Sequence, residues 1–331
     1  MRPAPIFQTK KVKTMSCAVK DNEIYSEYEL NEKISELKKK LNAVIMAHSY
    51  QTLDVQKIAD FTGDSLELAR KAADTDADVI VFCGVDFMAE SAKILSPSKK
   101  VLLPDTAAAC PMAAMCDAKG LIELKKEYPD AVVITYINSS AEVKAESDVI
   151  CTSANAVKIV EHYKDRKIIF TPDKNLGAYC SAVTGADMVM WNGYCYVHDE
   201  FSTGDIYIAR HQHPGCLLLV HPESPHEVLE LADFVGSTSQ IIQFVGENKD
   251  QMDESAGVII GTEVEIAKML QNRFPHKRIY PLADHAVCSQ MKKTTPAKVL
   301  RSLQTGTTEI FVEQNIREKA LEALKKMLEL S

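Results

Sequence analysis

The run Ala-Val-Ile-Met-Ala-His at residues 43–48 recurs in kind at two later points of the chain. Residues 131–136 read Ala-Val-Val-Ile-Thr-Tyr, and residues 216–221 read Cys-Leu-Leu-Leu-Val-His. Each is a short apolar segment that ends in a ring side chain. Such segments, when they are separated by stretches with helical spacing, indicate buried parallel strands joined by crossover helices. The recurrence therefore predicts three similar α/β units.

Each unit also repeats polar positions at a fixed distance from its ring residue. The residue 17 positions later is a hydroxyl, and its surroundings align as Ala-Asp-Phe-Thr-Gly-Asp-Ser at 59–65, Ser-Asp-Val-Ile-Cys-Thr-Ser at 147–153 and Ala-Asp-Phe-Val-Gly-Ser-Thr at 232–238. Each unit then continues to one cysteine, and these are Cys110, Cys195 and Cys288. A polar pair, a hydroxyl and a thiol from each unit suggest one shared site.

We expect three similar parallel-sheet α/β domains in a pseudo-threefold arrangement around that site. The first would comprise residues 1–111, the second 112–196 and the third 197–288, with 289–331 packing against the first domain. Ligands of open parallel sheets lie outside the carboxyl ends of the strands, where the ring residues fall. The candidate site residues at these ends are His48, Tyr50, Tyr136, Asn138, His221 and Glu223.

The individual elements follow from the same patterns. Helical spacing is present at residues 55–61 and 65–73, in an N-terminal helix at 29–41 and in an amphipathic closing helix at 316–330. The predicted strands are 44–47, 79–83 and 101–104 in the first unit, 132–135, 149–151, 169–170 and 188–191 in the second, and 217–220, 234–236, 258–261 and 278–281 in the third.

The repeated hydroxyls Ser65, Ser153 and Thr238 have two compatible interpretations. A hydroxyl between a strand and a helix commonly caps the helix N-terminus. A helix N-terminus also binds phosphate and carboxylate groups, so three termini directed inward would form an anion pocket. The chain has a net charge of −8, so local dipoles rather than bulk charge must hold an anionic substrate there.

Composition limits the class of protein. With 331 residues, 46% of them hydrophobic, the chain has room for two or three packed domains. The acidic balance and the lack of a basic run with interleaved aromatics argue against a nucleic-acid partner. No run of about 18 apolar residues predicts a membrane span, and residues 1–20 lack the apolar segment of a signal peptide. We therefore expect a cytoplasmic protein.

The nine cysteines, an odd number without the spacing of a small disulfide scaffold, fit a reducing compartment. Those within apolar runs are expected to be buried packing residues, namely Cys83, Cys151 and Cys216. By contrast, Cys110, Cys195 and Cys288 each follow the last strand of a unit. No C-x-x-C pair indicates a zinc ribbon or a ferredoxin-type cluster. Three converging thiolates suit an iron–sulfur cluster with one iron lacking a protein thiolate, and a packing role is the alternative.

Nine segments carry a family resemblance between about residues 42 and 303. They are Ala-His-Ser-Tyr-Gln at 47–51, Gly-Asp-Ser-Leu at 63–66, Gly-Val-Asp-Phe-Met-Ala-Glu at 84–90, Asn-Ser-Ser-Ala-Glu-Val-Lys at 138–144, Cys-Thr-Ser-Ala-Asn-Ala at 151–156, Trp-Asn-Gly-Tyr-Cys-Tyr-Val-His at 191–198, His-Pro-Glu at 221–223, Gly-Ser-Thr-Ser at 236–239 and Cys-Ser-Gln-Met-Lys at 288–292. Together they resemble the quinolinate synthase (NadA) family. Two positions depart from it, because Asp86 stands where the family usually has His and Ser224 where a Cys is common.

The resemblance implies an enzyme of de novo NAD biosynthesis, which we class as a transferase. Its substrates would be iminoaspartate and dihydroxyacetone phosphate, which condense to quinolinate with loss of phosphate and water. It also implies a [4Fe-4S] cluster held by Cys110, Cys195 and Cys288, with one iron free of cysteine. The same fold of three α/β domains around the cluster is expected, as is a transient contact with an enzyme that produces iminoaspartate.

Roles for the side chains follow from the proton transfers that such a reaction needs. Glu223 is the first choice as general base, with Tyr50 as its partner. The remaining expected roles are hydrogen-bond donation to substrate oxygens by His48 and His221, support of the opposite side by Tyr136 and Asn138, binding of phosphate or carboxylate by Ser65 and Ser153, binding of a carboxylate by Ser237 and Thr238, and orientation of the cluster loop or contact with substrate by His198.

Three alternatives remain open at the level of sequence. An iron–sulfur hydro-lyase of another pathway would use the same open iron without a phosphate site. A non-catalytic iron–sulfur sensor or ligand-binding regulator is a second alternative, which the acidic charge and the lack of a DNA-binding element in the sequence disfavour. An α/β scaffold with incidental thiols would need no cluster at all.

Overall fold

The structure, a computed structural model, describes residues 25–247 and 257–331 and contains three four-stranded sheets. Every strand pair within them is parallel, and each sheet has its second strand at one edge, followed by the first, the third and the fourth. This confirms the predicted α/β class with three similar units. The strands are β1 (Ala43–His48), β2 (Phe61–Gly63), β3 (Val79–Cys83), β4 (Lys100–Leu102), β5 (Val132–Tyr136), β6 (Val149–Cys151), β7 (Ile168–Thr171), β8 (Met188–Met190), β9 (Leu217–Val220), β10 (Phe234–Val235), β11 (Val258–Gly261) and β12 (Ile279–Pro281).

Helices connect the strands and cover both faces of the sheets. They are α1 (Glu27–Lys40), α2 (Leu53–Ile58), α3 (Ser65–Asp74), α4 (Asp86–Leu95), α5 (Ala118–Glu127), α6 (Ala141–Ala145), α7 (Ala156–Tyr163), α8 (Lys174–Thr184), α9 (Tyr196–Asp199), α10 (Thr203–Gln212), α11 (His226–Leu229), α12 (Thr238–Glu247), α13 (Val264–Arg273), α14 (Pro296–Thr305) and α15 (Gln314–Leu330). Across the described ranges, none of these helices combines the length and apolar character that crossing a membrane requires. The interpretation of residues 1–20 lies outside the described residues.

Strand β1 shows why its sequence is an unbroken apolar run. Val44 and Met46 pack into one hydrophobic core, whereas Ile45 and Ala47 pack into a second core on the opposite face. Successive side chains of a strand alternate between faces, so a sheet covered on both sides needs apolar residues at every position. The two cores place β1 in the middle of its layer and its last residue, His48, at the carboxyl edge.

One prediction for the first unit was wrong. Residues 55–61 were expected to be helical, but α2 ends at Ile58, and Phe61–Gly63 forms strand β2 beside β1. The segment was missed because a three-residue strand with a Thr and a Gly has little intrinsic strand signal. Its alignment with residues 149–151 and 234–236, both predicted as strands, contained the missing information.

The aspartate of each repeat fastens the second strand to the first. In every unit its backbone N–H donates to a carbonyl of the first strand, and its carboxylate accepts the N–H of that same residue. The carboxylate bonds are 2.8 Å for Asp60 and Ile45, 2.8 Å for Asp148 and Val133, and 2.7 Å for Asp233 and Leu218. These aspartates are therefore structural, because their acceptor atoms bind the backbone of the sheet.

The C-terminal segment is shared between two domains. Helix α14 packs on α1, α2 and β3, and the chain after it pairs with the free side of β4, where Leu103 N–H donates to Thr308 over 3.0 Å and Ile310 N–H donates to Val101 over 2.9 Å. Helix α15 then packs mainly on α6 and β6 of the second unit and also on α4. The domain boundaries after residues 111, 196 and 288 stay a prediction, with one sheet inside each range.

Candidate active site

A cavity lies at the carboxyl ends of the three sheets and is lined by side chains from all three units. It brings together the six strand-end residues and the three hydroxyls of the repeat. Its lining includes His48, Tyr50, Ser65, Tyr136, Asn138, Ser153, His198, His221, Glu223, Thr238, Cys110, Cys195 and Cys288. The distances along the chain that first suggested one shared site thus correspond to one shared space.

The two histidines at the strand ends are in equivalent states. The Tyr50 N–H donates to His48 Nδ1 over 3.1 Å, and the Glu223 N–H donates to His221 Nδ1 over 3.4 Å. Burial lowers the pKa of His48 to about 4 and that of His221 to about 3, so both rings are neutral at pH 7. Because Nδ1 accepts a hydrogen bond in each ring, the proton resides on Nε2. Both rings can therefore donate a hydrogen bond from Nε2.

Glu223 is buried and has a hydrogen-bond donor on each oxygen. The Tyr136 hydroxyl donates to Oε1, and His198 Nδ1 lies 2.7 Å from Oε2. Burial works to raise the pKa of Glu223, but the neighbouring His198 and His221 and the two hydrogen bonds outweigh it and lower the pKa to about 2. The carboxylate is therefore ionised at neutral pH. Burial, followed by the charge of Glu223, raises the pKa of Tyr136, which stays protonated as a donor.

A chain of hydrogen bonds links Glu223 to Tyr50 on the other side of the cavity. Thr262 Oγ1 lies 2.8 Å from His198 Nε2 and 2.7 Å from the Tyr50 hydroxyl. Thr238 Oγ1 then donates to the Tyr50 hydroxyl over 3.0 Å. Burial raises the pKa of Tyr50 well above its usual value, so the hydroxyl is protonated and can act as a hydrogen-bond donor in this chain. The two side chains expected to act as acid and base are thus connected through His198 and Thr262.

Among the residues of this hydrogen-bond chain, Thr262 was not predicted from the sequence. It directly follows β11, the third strand of its sheet, and its side chain is buried. The rule that ligands lie at the carboxyl ends of parallel strands applies to the third strand of each unit as well as to the first. A polar residue immediately after the predicted strand 258–261 was the available signal.

The capping interpretation of the three repeated hydroxyls was wrong. Helix α3 is capped by Asp64, whose Oδ1 accepts the N–H groups of Leu66 and Glu67, so Ser65 is the first helical residue. Helix α12 begins at Thr238, and the preceding Ser237 accepts the Gln240 N–H over 3.3 Å. In the second unit the cap position of α7 belongs to Asn155, two residues after Ser153. Neighbouring residues therefore occupy the cap positions, with a side-chain capping bond from Asp64 and Ser237 but none from Asn155, and the three repeated hydroxyls line the cavity.

Asn138 and Ser237 differ in whether their side chains are free to contact a ligand. The Oδ1 atom of Asn138 is buried and has no hydrogen-bond partner among the described residues. Buried polar atoms are rarely left unpaired, so this oxygen is suited to a ligand in the cavity. Ser237, in contrast, uses its hydroxyl for the cap and for a 3.2 Å bond to Ser239, and its expected contact with a carboxylate stays a prediction.

The chemistry of the three cavity cysteines fits a metal centre. Burial raises the pKa of Cys110 to about 12 and that of Cys195 well above its usual value, and the neighbouring Cys288 raises the pKa of both thiols further. A metal ion that displaces these protons would relieve the cost of three neighbouring thiolates. His198 Nδ1 lies 3.3 Å from Cys195 Sγ, and the ligand atoms of Cys195, His198 and Glu223 lie within 4.8 Å of one another.

The remaining described cysteines lie in other surroundings. They are buried, consistent with packing, and they are Cys83, Cys116, Cys151, Cys180 and Cys216. The departure Ser224 is fully buried beside Glu223, and its hydroxyl has no partner among the described residues. The departure Asp86 contacts the loop of Cys110, with its carboxylate 3.2 Å from the Cys110 nitrogen.

Comparison with known proteins agrees with this arrangement. The model of the family described as NadA, quinolinate synthetase A protein, matches residues 32–329. A quinolinate synthase of Caldicellulosiruptor saccharolyticus is 50% identical over 303 residues, which cover 91% of this chain and 98% of the relative. A quinolinate synthase of Methanoregula boonei is 49% identical over 301 residues, again 91% of this chain and 98% of the relative. The chain therefore belongs to the quinolinate synthase family of NAD biosynthesis.

Proposed function

We propose that the central cavity condenses iminoaspartate with dihydroxyacetone phosphate to quinolinate, with loss of phosphate and water, and that Cys110, Cys195 and Cys288 hold a [4Fe-4S] cluster there. The observation that supports this most is the convergence of three thiols, two neutral histidines and an ionised glutamate on one buried space. The enzyme would be a transferase. It would act in the cytoplasm, where reducing conditions keep thiols free for metal.

The cluster would supply Lewis-acid polarisation of a substrate oxygen or nitrogen at its one iron without a cysteine ligand. The protein side chains would perform the proton transfers. Glu223 is ionised and would remove a proton from carbon in the keto-to-aldehyde isomerisation. Because Tyr136 and His198 both donate to it, their hydrogen bonds must weaken as Glu223 takes the proton, which limits how basic it is in the free enzyme.

Tyr50 would supply the matching proton on oxygen. Its hydroxyl is protonated, and the chain through Thr262 and His198 connects it to Glu223. A proton delivered by Tyr50 could be replaced along this chain without opening the cavity to water. His48 and His221 would hold substrate oxygens with their Nε2–H groups.

The hydroxyls would hold the anionic groups of the two substrates. Ser65 stands at the first turn of α3 and Ser153 before α7, where helix N-termini favour phosphate or carboxylate. Thr238 at the start of α12 would bind a carboxylate, and the unpaired Oδ1 of Asn138 would accept a hydrogen bond from a substrate N–H or O–H. Three anion-binding positions suit a phosphorylated substrate and a dicarboxylate together.

The test is turnover by anaerobically purified protein with its iron and sulfide content determined. Quinolinate should form only when dihydroxyacetone phosphate and freshly generated iminoaspartate are both supplied. A dehydration reaction that proceeds without dihydroxyacetone phosphate would instead support a hydro-lyase of another pathway. An iminoaspartate-producing enzyme added in place of chemically generated substrate should shorten the lag if the two proteins make transient contact. Protein that binds no iron would overturn the proposal.

A further inference from the structure

The backbone N–H groups of two cavity cysteines each donate to a carboxylate of their own domain. The Cys110 N–H donates to Asp86 Oδ1 over 3.2 Å, and the Cys288 N–H donates to Glu263 Oε1 over 3.2 Å. In the second domain the backbone beside Asp173 pairs with the loop that leads to Cys195, because the Lys174 N–H donates to the Gly193 carbonyl over 2.8 Å and the Gly193 N–H donates to the Pro172 carbonyl over 3.0 Å. The Asp173 Oδ2 atom is buried and has no hydrogen-bond partner among the described residues.

The three carboxylates occupy one structural position. Each follows the third strand of its sheet and stands at the start of the next helix, α4, α8 or α13. Each also accepts an N–H group from the first turn of that helix, with bonds of 2.9 Å from Phe87 to Asp86, 2.8 Å from Leu176 to Asp173 and 2.9 Å from Glu265 to Glu263. Asp86 and Glu263 thus each join a helix N-terminus to the loop that bears a cysteine.

Such a contact restricts the cysteine at its backbone. Cys110 and Cys288 lie in irregular segments after β4 and β12, and Cys195 precedes the short helix α9. A main-chain N–H held by a fixed carboxylate cannot turn toward the thiol side of the loop. The N–H is then unable to donate to cluster sulfur, a kind of hydrogen bond that sets cluster potentials.

We propose that Asp86 and Glu263 are positioning residues for the metal centre, each of which fixes one cysteine loop and withholds its N–H from the cluster. This inference rests on the proposed function, because it assigns the two carboxylates to two of the three cysteine loops of that cluster. His, which the family resemblance leads one to expect at position 86, also has a ring nitrogen that can accept the Cys110 N–H. The position therefore calls for an acceptor rather than for one residue type.

The experiment compares Asp86→Ala, which removes the acceptor, with Asp86→Asn, which keeps Oδ1 as an acceptor. Each protein is purified anaerobically with its cluster. Three properties are then measured: the rate of iron loss to a chelator, the reduction potential of the cluster and the electron paramagnetic resonance spectrum of the reduced cluster. Asp86→Ala should lose iron several-fold faster and show a raised potential. Asp86→Asn should stay within about twofold of the parent in rate and keep its spectrum.

Asp148→Ala is the matched control, since the Asp148 carboxylate also accepts a backbone N–H but Asp148 does not line the cavity that holds Cys110, Cys195 and Cys288. It should melt at a lower temperature while iron loss and spectrum stay those of the parent. The pair Glu263→Ala and Glu263→Gln repeats the comparison in the third domain if Asp86→Ala does not fold. The inference is wrong if the alanine variants match the parent in iron loss and spectrum, or if the amide variants behave like the alanine variants. A parent protein that binds no cluster would instead overturn the proposed function.

Discussion

Two sets of residues recur equally in the threefold repeat, yet the structure gives them different tasks. The aspartates Asp60, Asp148 and Asp233 bind the backbone of the first strand, whereas the hydroxyls Ser65, Ser153 and Thr238 line the cavity. The members of each pair lie only five positions apart in the sequence. The aspartate precedes the second strand of its sheet, and the hydroxyl follows it. Recurrence alone therefore does not identify a functional residue, and the side of the strand on which it falls does.

The largest effect is expected when one of the three cysteines that line the cavity is replaced. Cys110→Ser, Cys195→Ser and Cys288→Ser should each abolish cluster assembly and turnover, because two thiolates hold a cluster poorly. Cys116→Ser is the control, since Cys116 is buried away from the cavity lining and should keep its iron. Iron and sulfide analysis decides the matter. A Cys288→Ser protein with full iron and sulfide would refute the ligand assignment.

The second effect concerns the carboxylate at the cavity end of β9. Glu223→Gln should bind cluster and substrates but lower kcat by about two to four orders of magnitude, the usual contribution of general acid–base catalysis. Steady-state kinetics on protein of matched iron content provides the measurement. If kcat falls by only a few-fold, the base must be sought at Tyr50 or His221.

On the framework side, the expected effect is on stability. Asp148→Ala leaves the Val133 N–H without its acceptor and should lower the free energy of unfolding by about 1–3 kcal/mol, the cost of an unpaired buried polar group. The Michaelis constants should remain those of the parent, because Asp148 does not line the cavity. Denaturant unfolding and kinetics on the same preparation test both statements. A changed Michaelis constant with unchanged stability would reverse the assignment.

The smallest effect is expected for the hydroxyls, and it should be unequal among them. Ser65→Ala or Ser153→Ala should raise the Michaelis constant for dihydroxyacetone phosphate more than that for iminoaspartate, and Thr238→Ala should do the reverse. Because other residues occupy the helix caps, melting temperatures should barely change. Steady-state kinetics with each substrate varied in turn would measure the two Michaelis constants separately. Lower melting temperatures with unchanged Michaelis constants would mean that the hydroxyls belong to the framework.

The sequence predicted the features for which both the residue type and the spacing recur in all three units. The ring residues, the hydroxyls and the cysteines recur at nearly constant distances, so eleven strands and most of the cavity lining could be assigned. Strand β2 was missed because its three residues have little strand propensity by themselves. Thr262 directly follows the predicted strand 258–261, but only its contacts with Tyr50 and His198 show what it connects.

The carboxylates beside the cysteine loops show a further limit. Asp86, Asp173 and Glu263 share a structural position, but one is a glutamate, and they precede their cysteines by 24, 22 and 25 residues. A longer side chain compensates for a different loop path, so equivalence in space leaves no fixed pattern along the chain. Backbone contacts of this kind become visible only in three dimensions.

The pairing of residues 308–310 with β4 has a consequence for how the protein is made. Strand β4 ends at Leu102, whereas the segment that covers its free side is translated roughly 200 residues later. At about 5–20 residues per second, the ribosome would leave this edge of the first sheet unprotected for about 10–40 s. Unpaired strand edges promote aggregation. The nascent chain is therefore most in need of chaperone protection during this interval, and prematurely terminated products would keep the exposed edge permanently.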